Sequence, residues 1–325
     1  MNKKAVVFGG GTGLSHLLRG LKQYPLDITA VVSVSDDGGS AGKLRDEFDV
    51  LAVGDIRRVI ESLSDNENEL RNLLNYRFES NGELNNHSLG NLILLAEMKI
   101  QGSAEKAIES LSKILNLKGK ILPFTEDEVT LIGEMEDNTI IEGEHNITKS
   151  PQKIKKVFYK NEPNINNNLI NEIKKADLII LSMGSLFTSI IPNLLSTKIK
   201  NAIDKSNAEI VYCCNLFTQP GETDDFKVSD HVTILNSYLG DKKINYVIAN
   251  NGAIDEELAH KYATEEQKDI VLVDKKETET LGNKVILDDL VYINSKNVFR
   301  HNYVKLGFLI HTISLGYSYM LNNKK

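Results

Sequence analysis

The stretch Ala5-Val6-Val7-Phe8-Gly9-Gly10-Gly11-Thr12-Gly13-Leu14-Ser15 runs a short apolar segment into four glycines within five residues. Leu14, Leu17, Leu18 and Leu21 then repeat at helical spacing, and a second β-rich run covers Ile28 to Val34. Strand, glycine turn, helix and strand in that order form a β-α-β unit, whose strands lie parallel through a right-handed crossover. The fold expected from this opening is α/β: a Rossmann-like three-layer sandwich around a mainly parallel sheet. Glycines at a helix start let the backbone approach an anion, and the free N–H groups at the positive helix end complete the site. One turn needing φ > 0 explains one glycine, not four. Gly10, Gly11, Thr12, Gly13 and Leu14 are therefore candidate phosphate-binding residues.

Two standard phosphate patterns do not fit. In G-x-G-x-x-G the third glycine would fall at Leu14 or His16, and in the P-loop pattern Gly42-Lys43 is followed by Leu44. Asp36 does follow the second strand, where a ribose-binding acid would stand, so NAD stays a second option. The segment Ser35-Asp36-Asp37-Gly38-Gly39-Ser40 begins at a strand's carboxyl end, where ligands of parallel sheets bind. Asp36 and Asp37, with Gly38, Gly39 and Ser40, could accept hydrogen bonds from ribose or sugar hydroxyls, hold Mg²⁺, or activate a hydroxyl. With no third acid adjoining the pair, the metal-free role is favoured. A solvated acidic turn is the plain alternative.

Working outward, residues 55–117 carry mostly helical spacing and form a helical layer. Between Pro123 and Phe158 the short alternating runs Val129–Leu131, Thr139–Ile141 and Ile154–Val157 predict a small antiparallel insertion, spanning residues 123–160, within a single domain of residues 1–325. Alternation then resumes, with strands at Leu178–Leu181, Glu209–Cys213 and Asn245–Ala249, helices at Asn193–Asp204 and Asp230–Leu239, and weaker strands at Ile270–Val273 and Lys284–Leu287. A buried C-terminal helix is expected over Leu306–Leu321; its 16 apolar-rich residues are short of a membrane span.

Four more segments complete a candidate pocket. Gly54-Asp55-Ile56-Arg57 contributes Asp55, and Asn86-His87-Ser88-Leu89-Gly90-Asn91 contributes His87 and Asn91; Asp55 and Ser88 would serve equally well as helix N-caps. Gly184, Ser185 and Leu186 follow the strand Leu178–Leu181. Asn215, Thr218, Gln219, Gly221, Glu222 and Thr223 follow the strand Glu209–Cys213, although Pro220-Gly221 could be a bare turn. Small and polar loops at equivalent strand ends favour one composite pocket over unrelated turns. Arg300-His301 is the remaining pair of interest; taken alone, Arg300 would be a surface ion pair.

Composition narrows the partners. A net charge of −7 with lysines dispersed among acids leaves no basic stripe for nucleic acid. Only two cysteines occur, Cys213 and Cys214, and neighbours in an apolar run make no structural staple. With no signal-peptide core after Lys3-Lys4, a cytoplasmic location is expected.

In their order, the Gly9–Ser15 loop, Asp36-Asp37-Gly38-Gly39-Ser40, Gly54-Asp55-Ile56-Arg57, His87-Ser88-Leu89-Gly90-Asn91, Gly184-Ser185-Leu186, Thr218-Gln219-Pro220-Gly221-Glu222-Thr223 and Arg300-His301 resemble the YvcK-type gluconeogenesis factors of the CofD-like superfamily. The chain departs from that pattern at Ser182-Met183, where Gly-Pro is usual, and at Val53, where proline is usual. The resemblance implies a protein needed for gluconeogenic growth and normal cell shape, with UDP-N-acetylglucosamine as ligand, and it moves Arg300 from a surface ion pair to a ligand contact. It names no metabolic or cell-envelope partner and leaves a homo-oligomer open. Two readings follow: a ligand-binding regulator without chemistry of its own, or a transferase moving a phosphorylated group from a nucleotide donor with Mg²⁺, as the CofD transferases do.

Overall fold

The computed structural model describes residues 2–34, 48, 51, 53–65 and 67–317. Asp36, Asp37, Gly38, Gly39 and Ser40 lie outside the described residues.

Strand β1 (Lys3–Gly9), helix α1 (Gly11–Leu21) and strand β2 (Leu26–Val32) are the opening unit, and β1 and β2 pair in parallel from Lys3–Leu26 to Gly9–Val32. The helical layer follows as α2 (Val53–Leu63), α3 (Glu67–Asn75), α4 (Leu89–Gln101) and α5 (Ala104–Ile114), then strand β3 (Lys120–Pro123). An antiparallel sheet holds β4 (Leu131–Met135) between β5 (Ile140–Glu142) and β6 (Ile154–Tyr159), with α6 (Glu144–Lys149) between β5 and β6 in the chain. Alternation resumes with α7 (Asn167–Lys175), β7 (Leu178–Leu181), α8 (Thr197–Asp204), β8 (Glu209–Cys213), α9 (Val228–Tyr238) and β9 (Tyr246–Asn250). The chain continues through α10 (Glu256–Glu265), α11 (Lys275–Thr280), β10 (Lys284–Asp288), the hairpin β11 (Val291–Ile293) and β12 (Phe299–His301), and α12 (Tyr303–Ser314).

Seven strands pair in parallel in the order β10-β9-β8-β7-β1-β2-β3. Strand residues alternate between two buried faces, as a sheet covered on both sides requires. Ala5, Val7, Leu178 and Ile180 pack with α1, α2 and α12, whereas Val6, Phe8, Ile179 and Leu181 pack with the insertion and helices α7 to α9. From β1 the chain builds outward to β2 and β3, then returns to the other side of β1 as β7. The crevice between the loops leaving β1 and β7 is therefore the topological switch point, where α/β sheets bind ligands.

Three expectations are corrected. The helix expected from Asn193 begins at Thr197: Pro192 sits in a 3₁₀ turn, Ile191–Leu194, and the Ser196 hydroxyl accepts from the Lys198 N–H to start a new helix. The strand expected at Ile270–Val273 shrinks to bridges of Ile270 with Phe217 and Leu272 with Lys227, because it pairs with the chain after β8 and not with the main sheet. Asp55 is not a cap of its own helix, since α2 begins two residues earlier. Among the described residues no helix is long and apolar enough to cross a membrane.

Candidate ligand-binding site

The β1–α1 turn is shaped by contacts from two directions. Gly11 takes φ +54° and donates its N–H to Asp55 Oδ2 at 2.5 Å, while Asp55 Oδ1 accepts from Arg58 Nη1 at 2.8 Å. A carboxylate thus stands at the positive end of α1, in the position that favours negative charge. On the other side, a β-carbon on Gly13 would lie 1.6 Å from the Met183 carbonyl oxygen, and one on Gly9 would lie 2.0 Å from Ser182 Oγ. Two of the four glycines therefore serve the close passage of β1 and α1 along the chain leaving β7. Close packing is thus a second reason for the glycine density, beside the anion binding expected from the sequence.

The loops after β7 and β8 are tied to each other. Asn215 clamps the Gly184 peptide, its Oδ1 accepting from the N–H at 3.2 Å and its Nδ2 donating to the carbonyl at 2.7 Å. Ser185 donates its hydroxyl to the buried Glu222 carboxylate at 2.6 Å, and the same carboxylate accepts from the Phe187 N–H at 3.2 Å and Gln219 Nε2 at 2.7 Å. Burial pushes the Glu222 carboxyl above its ordinary pKa, opposed by the hydrogen bonds from Ser185, the Phe187 N–H and Thr188. Thr223 Oγ1 accepts from the Gln219 N–H at 2.9 Å, and Gly221, at φ +76°, accepts at its carbonyl from the Ile154 N–H of the insertion at 2.9 Å. Glu222, Thr223, Gly221 and Asn215 thus hold the loops in shape, and Leu186 is fully buried in the core.

A strand from near the end of the chain closes the site. His301 Nε2 donates to the Cys214 carbonyl at 3.0 Å, and the His301 carbonyl accepts from His16 Nε2 of α1 at 2.7 Å. Burial pushes the His301 imidazole down to about 4, so it is neutral near pH 7. These two bonds seat β12 across the carboxyl ends of the sheet. Arg300 there lines a cleft of about 500 Å³, in the volume range of ligand sites, together with Thr12, Gly13, Gly184, Asn215, Thr218 and Gln219.

Sequence reasoning missed part of this cleft. Phe217, Tyr262 and Phe299 form one wall, with ring centroids 5.0 to 5.2 Å apart. Lys268 and His16 also line it. No Asp or Glu occurs among its described lining residues, although the whole chain carries −7. Cationic and neutral donors together with aromatic rings in one cleft suit an anionic ligand with a planar group. A larger hollow of about 710 Å³ lies at the opposite ends of the strands, among Lys3, Tyr24, Asp27 and Lys118, away from the switch point.

His87 and Asn91 do not line the cleft. Ser88 caps α4 by accepting from the Asn91 N–H at 3.4 Å, and His87 is half-buried just before it. Asn91 Oδ1 accepts from Arg57 Nε at 3.0 Å, and Arg57 also binds Glu61 at 3.0 Å and the Asn75 side chain. The Gly54–Arg57 and Ser88–Asn91 segments therefore meet in a buried polar knot between α2 and α4. Burial lowers the Arg57 pKa from its ordinary value, and the adjacent Glu61 opposes that shift.

Comparison with known proteins agrees with this architecture. Residues 5–291 match the family model described as 2-phospho-L-lactate transferase CofD. The chain is 44% identical over 307 residues to the gluconeogenesis factor of Halalkalibacterium halodurans, covering 94% of each chain, and 44% identical over 308 residues to that of Bacillus subtilis, covering 94% of this chain and 96% of the relative. A crystal structure from Bacillus halodurans, described as a member of the UPF0052 family, superposes with a TM-score of 0.90 at 43% identity, covering 94% of this chain and 99% of that one. With a family match across most of its length and relatives of this identity, the chain belongs to the CofD family and, within it, to the gluconeogenesis factors.

Proposed function

We propose that the cleft at the β1/β7 switch point binds a nucleotide sugar, UDP-N-acetylglucosamine or a close relative, and that the protein is a regulator of growth on gluconeogenic carbon sources and of cell shape. The observation that carries the reading is the cleft's lining: Arg300 and Lys268, with no carboxylate among the described lining residues, share it with the Phe217–Tyr262–Phe299 cluster, in an acidic chain. The rings offer a surface for a base, and the cations offer partners for phosphate. The names of its relatives support the gluconeogenic role. In this reading Asp36 and Asp37 accept hydrogen bonds from sugar or ribose hydroxyls.

Titration calorimetry of the whole chain with UDP-N-acetylglucosamine and with NAD tests the ligand class. Micromolar or tighter binding of the first and none of the second is expected; the reverse preference, or no binding of either, overturns the reading. Repeating the titration with EDTA tests the acidic pair: unchanged affinity is expected, and a large loss on chelation turns the reading toward the Mg²⁺-dependent transferase.

A further inference from the structure

Lys268 reaches the cleft edge through the turn that ends helix α10. Helix α10 ends at Glu265, and the N–H groups of Glu266 and Lys268 both point back to the Tyr262 carbonyl, at 3.0 and 3.2 Å. Gln267 between them takes φ +53°, the left-handed position that helix ends usually give to glycine. A long side chain held there is strained, and such strain concentrates at ligand clamps. The next residue is pinned from two sides: the Asp269 carbonyl accepts from the Thr218 N–H at 2.8 Å, and the Asp269 N–H donates to Thr218 Oγ1 at 2.9 Å. Ile270 then bridges to Phe217. The turn and its tethers hold Lys268 beside Thr218 and Gln219 at the cleft edge.

Lys268 Nζ pairs with Glu266 at 2.6 Å, and the two side chains are 36% and 47% exposed. A pair this exposed is screened by water and easily exchanged. Arg300 lines the same cleft from a different element, β12. Two cationic side chains on independent supports suit two adjacent anionic groups better than one. We propose that Lys268 is a specificity-determining residue for a diphosphate: Arg300 takes one phosphate, and Lys268 leaves Glu266 to take the other. The proposal rests on the nucleotide-sugar reading of the cleft.

Calorimetry of wild type, Lys268→Gln and Lys268→Arg with UDP-N-acetylglucosamine and with UMP tests it, with circular dichroism as the fold check. Lys268→Gln is expected to weaken the diphosphate ligand by about tenfold or more, as for a lost charged hydrogen bond, and UMP by less than about twofold. Lys268→Arg should restore most of the difference. Equal losses for both ligands, or no loss, overturn the proposal. Wild-type protein that binds neither nucleotide overturns the functional reading instead. Pyrophosphate against inorganic phosphate then decides for Lys268 alone: a pyrophosphate preference lost in Lys268→Gln upholds its role, and no such preference ends it.

Discussion

The backbone of Gly13 passes the Met183 carbonyl so closely that a β-carbon on residue 13 would lie 1.6 Å from its oxygen. A backbone carbonyl cannot rotate away as a flexible side chain can, so Gly13→Ala must displace α1 from β7. A loss of about 3 kcal/mol or more is expected, at the upper end of overpacking. Gly11 is different, because the nearest atoms to its added β-carbon lie 3.5 Å away and only its φ of +54° is unfavourable. Gly11→Ala should cost about 1–2 kcal/mol. Gly11→Val, β-branched at the same φ, should cost more stability than Gly11→Ala, and the protein that folds should bind the nucleotide sugar more weakly. Urea midpoints and calorimetry check these outcomes; Gly13→Ala as stable as wild type would remove the packing account of the loop.

The Arg57–Glu61 pair is almost dry, with both side chains 5% exposed. Arg57→Ala leaves Glu61 charged, buried and without that partner, for an expected loss of about 3–5 kcal/mol. Replacing both residues by apolar ones of similar size should recover most of it, because the desolvation of two ions disappears along with their attraction. A double-mutant cycle in urea measures the difference. Additive single and double losses would mean that the two side chains do not act as a pair.

The opening β-α-β unit was legible because glycines and a leucine period mark its boundaries in order. The loops at Gly184 and Thr218 were legible because both follow apolar strands. What stayed hidden depends on distant parts of the chain meeting. Tyr262 and Lys268 sit on and after a helix with no signature, and β11 and β12 are three residues each, too short for an alternation to register. Asn91 carried a motif-like setting, yet its partner is Arg57, 34 residues away, in a buried knot. Nothing in local spacing separates a polar residue that binds a ligand from one that binds another helix.

Two buried histidines make the fold acid-sensitive. His231, which shares a 3.0 Å hydrogen bond with the Tyr212 hydroxyl, and His301 are both pushed down to about 4 by burial, from an ordinary 6.5. The unfolded chain takes up these protons first, so the stability they contribute is complete above about pH 6.5 and is lost as pH falls toward 4. Each accounts for roughly 3 kcal/mol over that window. Glu222 works the other way: its raised pKa adds stability as pH falls toward its ordinary 4.5, and it offsets part of the loss. Urea midpoints from pH 7 to 4.5 should fall steeply in wild type and less steeply in His231→Gln. Parallel slopes would show that His231 is not one of the groups responsible.

Arg300 stands on β12 with its Nη1 donating to the Phe299 carbonyl at 2.8 Å, and it lines the same cleft as Thr12 and Gly13 of the glycine turn. Its neighbour His301 is neutral near pH 7 and committed to the Cys214 carbonyl, so the charge that strand brings to the cleft is the guanidinium. A guanidinium can meet a phosphate with two parallel N–H donors, a geometry that an ammonium cannot copy. Arg300→Ala should therefore weaken UDP-N-acetylglucosamine binding by about 1.5–3 kcal/mol, roughly ten- to a hundredfold. Arg300→Lys should recover only part of that loss. Because β12 is seated by the bonds of the His16 and His301 imidazoles to backbone carbonyls, neither substitution should disturb the fold, and circular dichroism checks this. Wild-type affinity in a folded Arg300→Ala protein would move the phosphate contact away from this arginine and leave the glycine turn as its place.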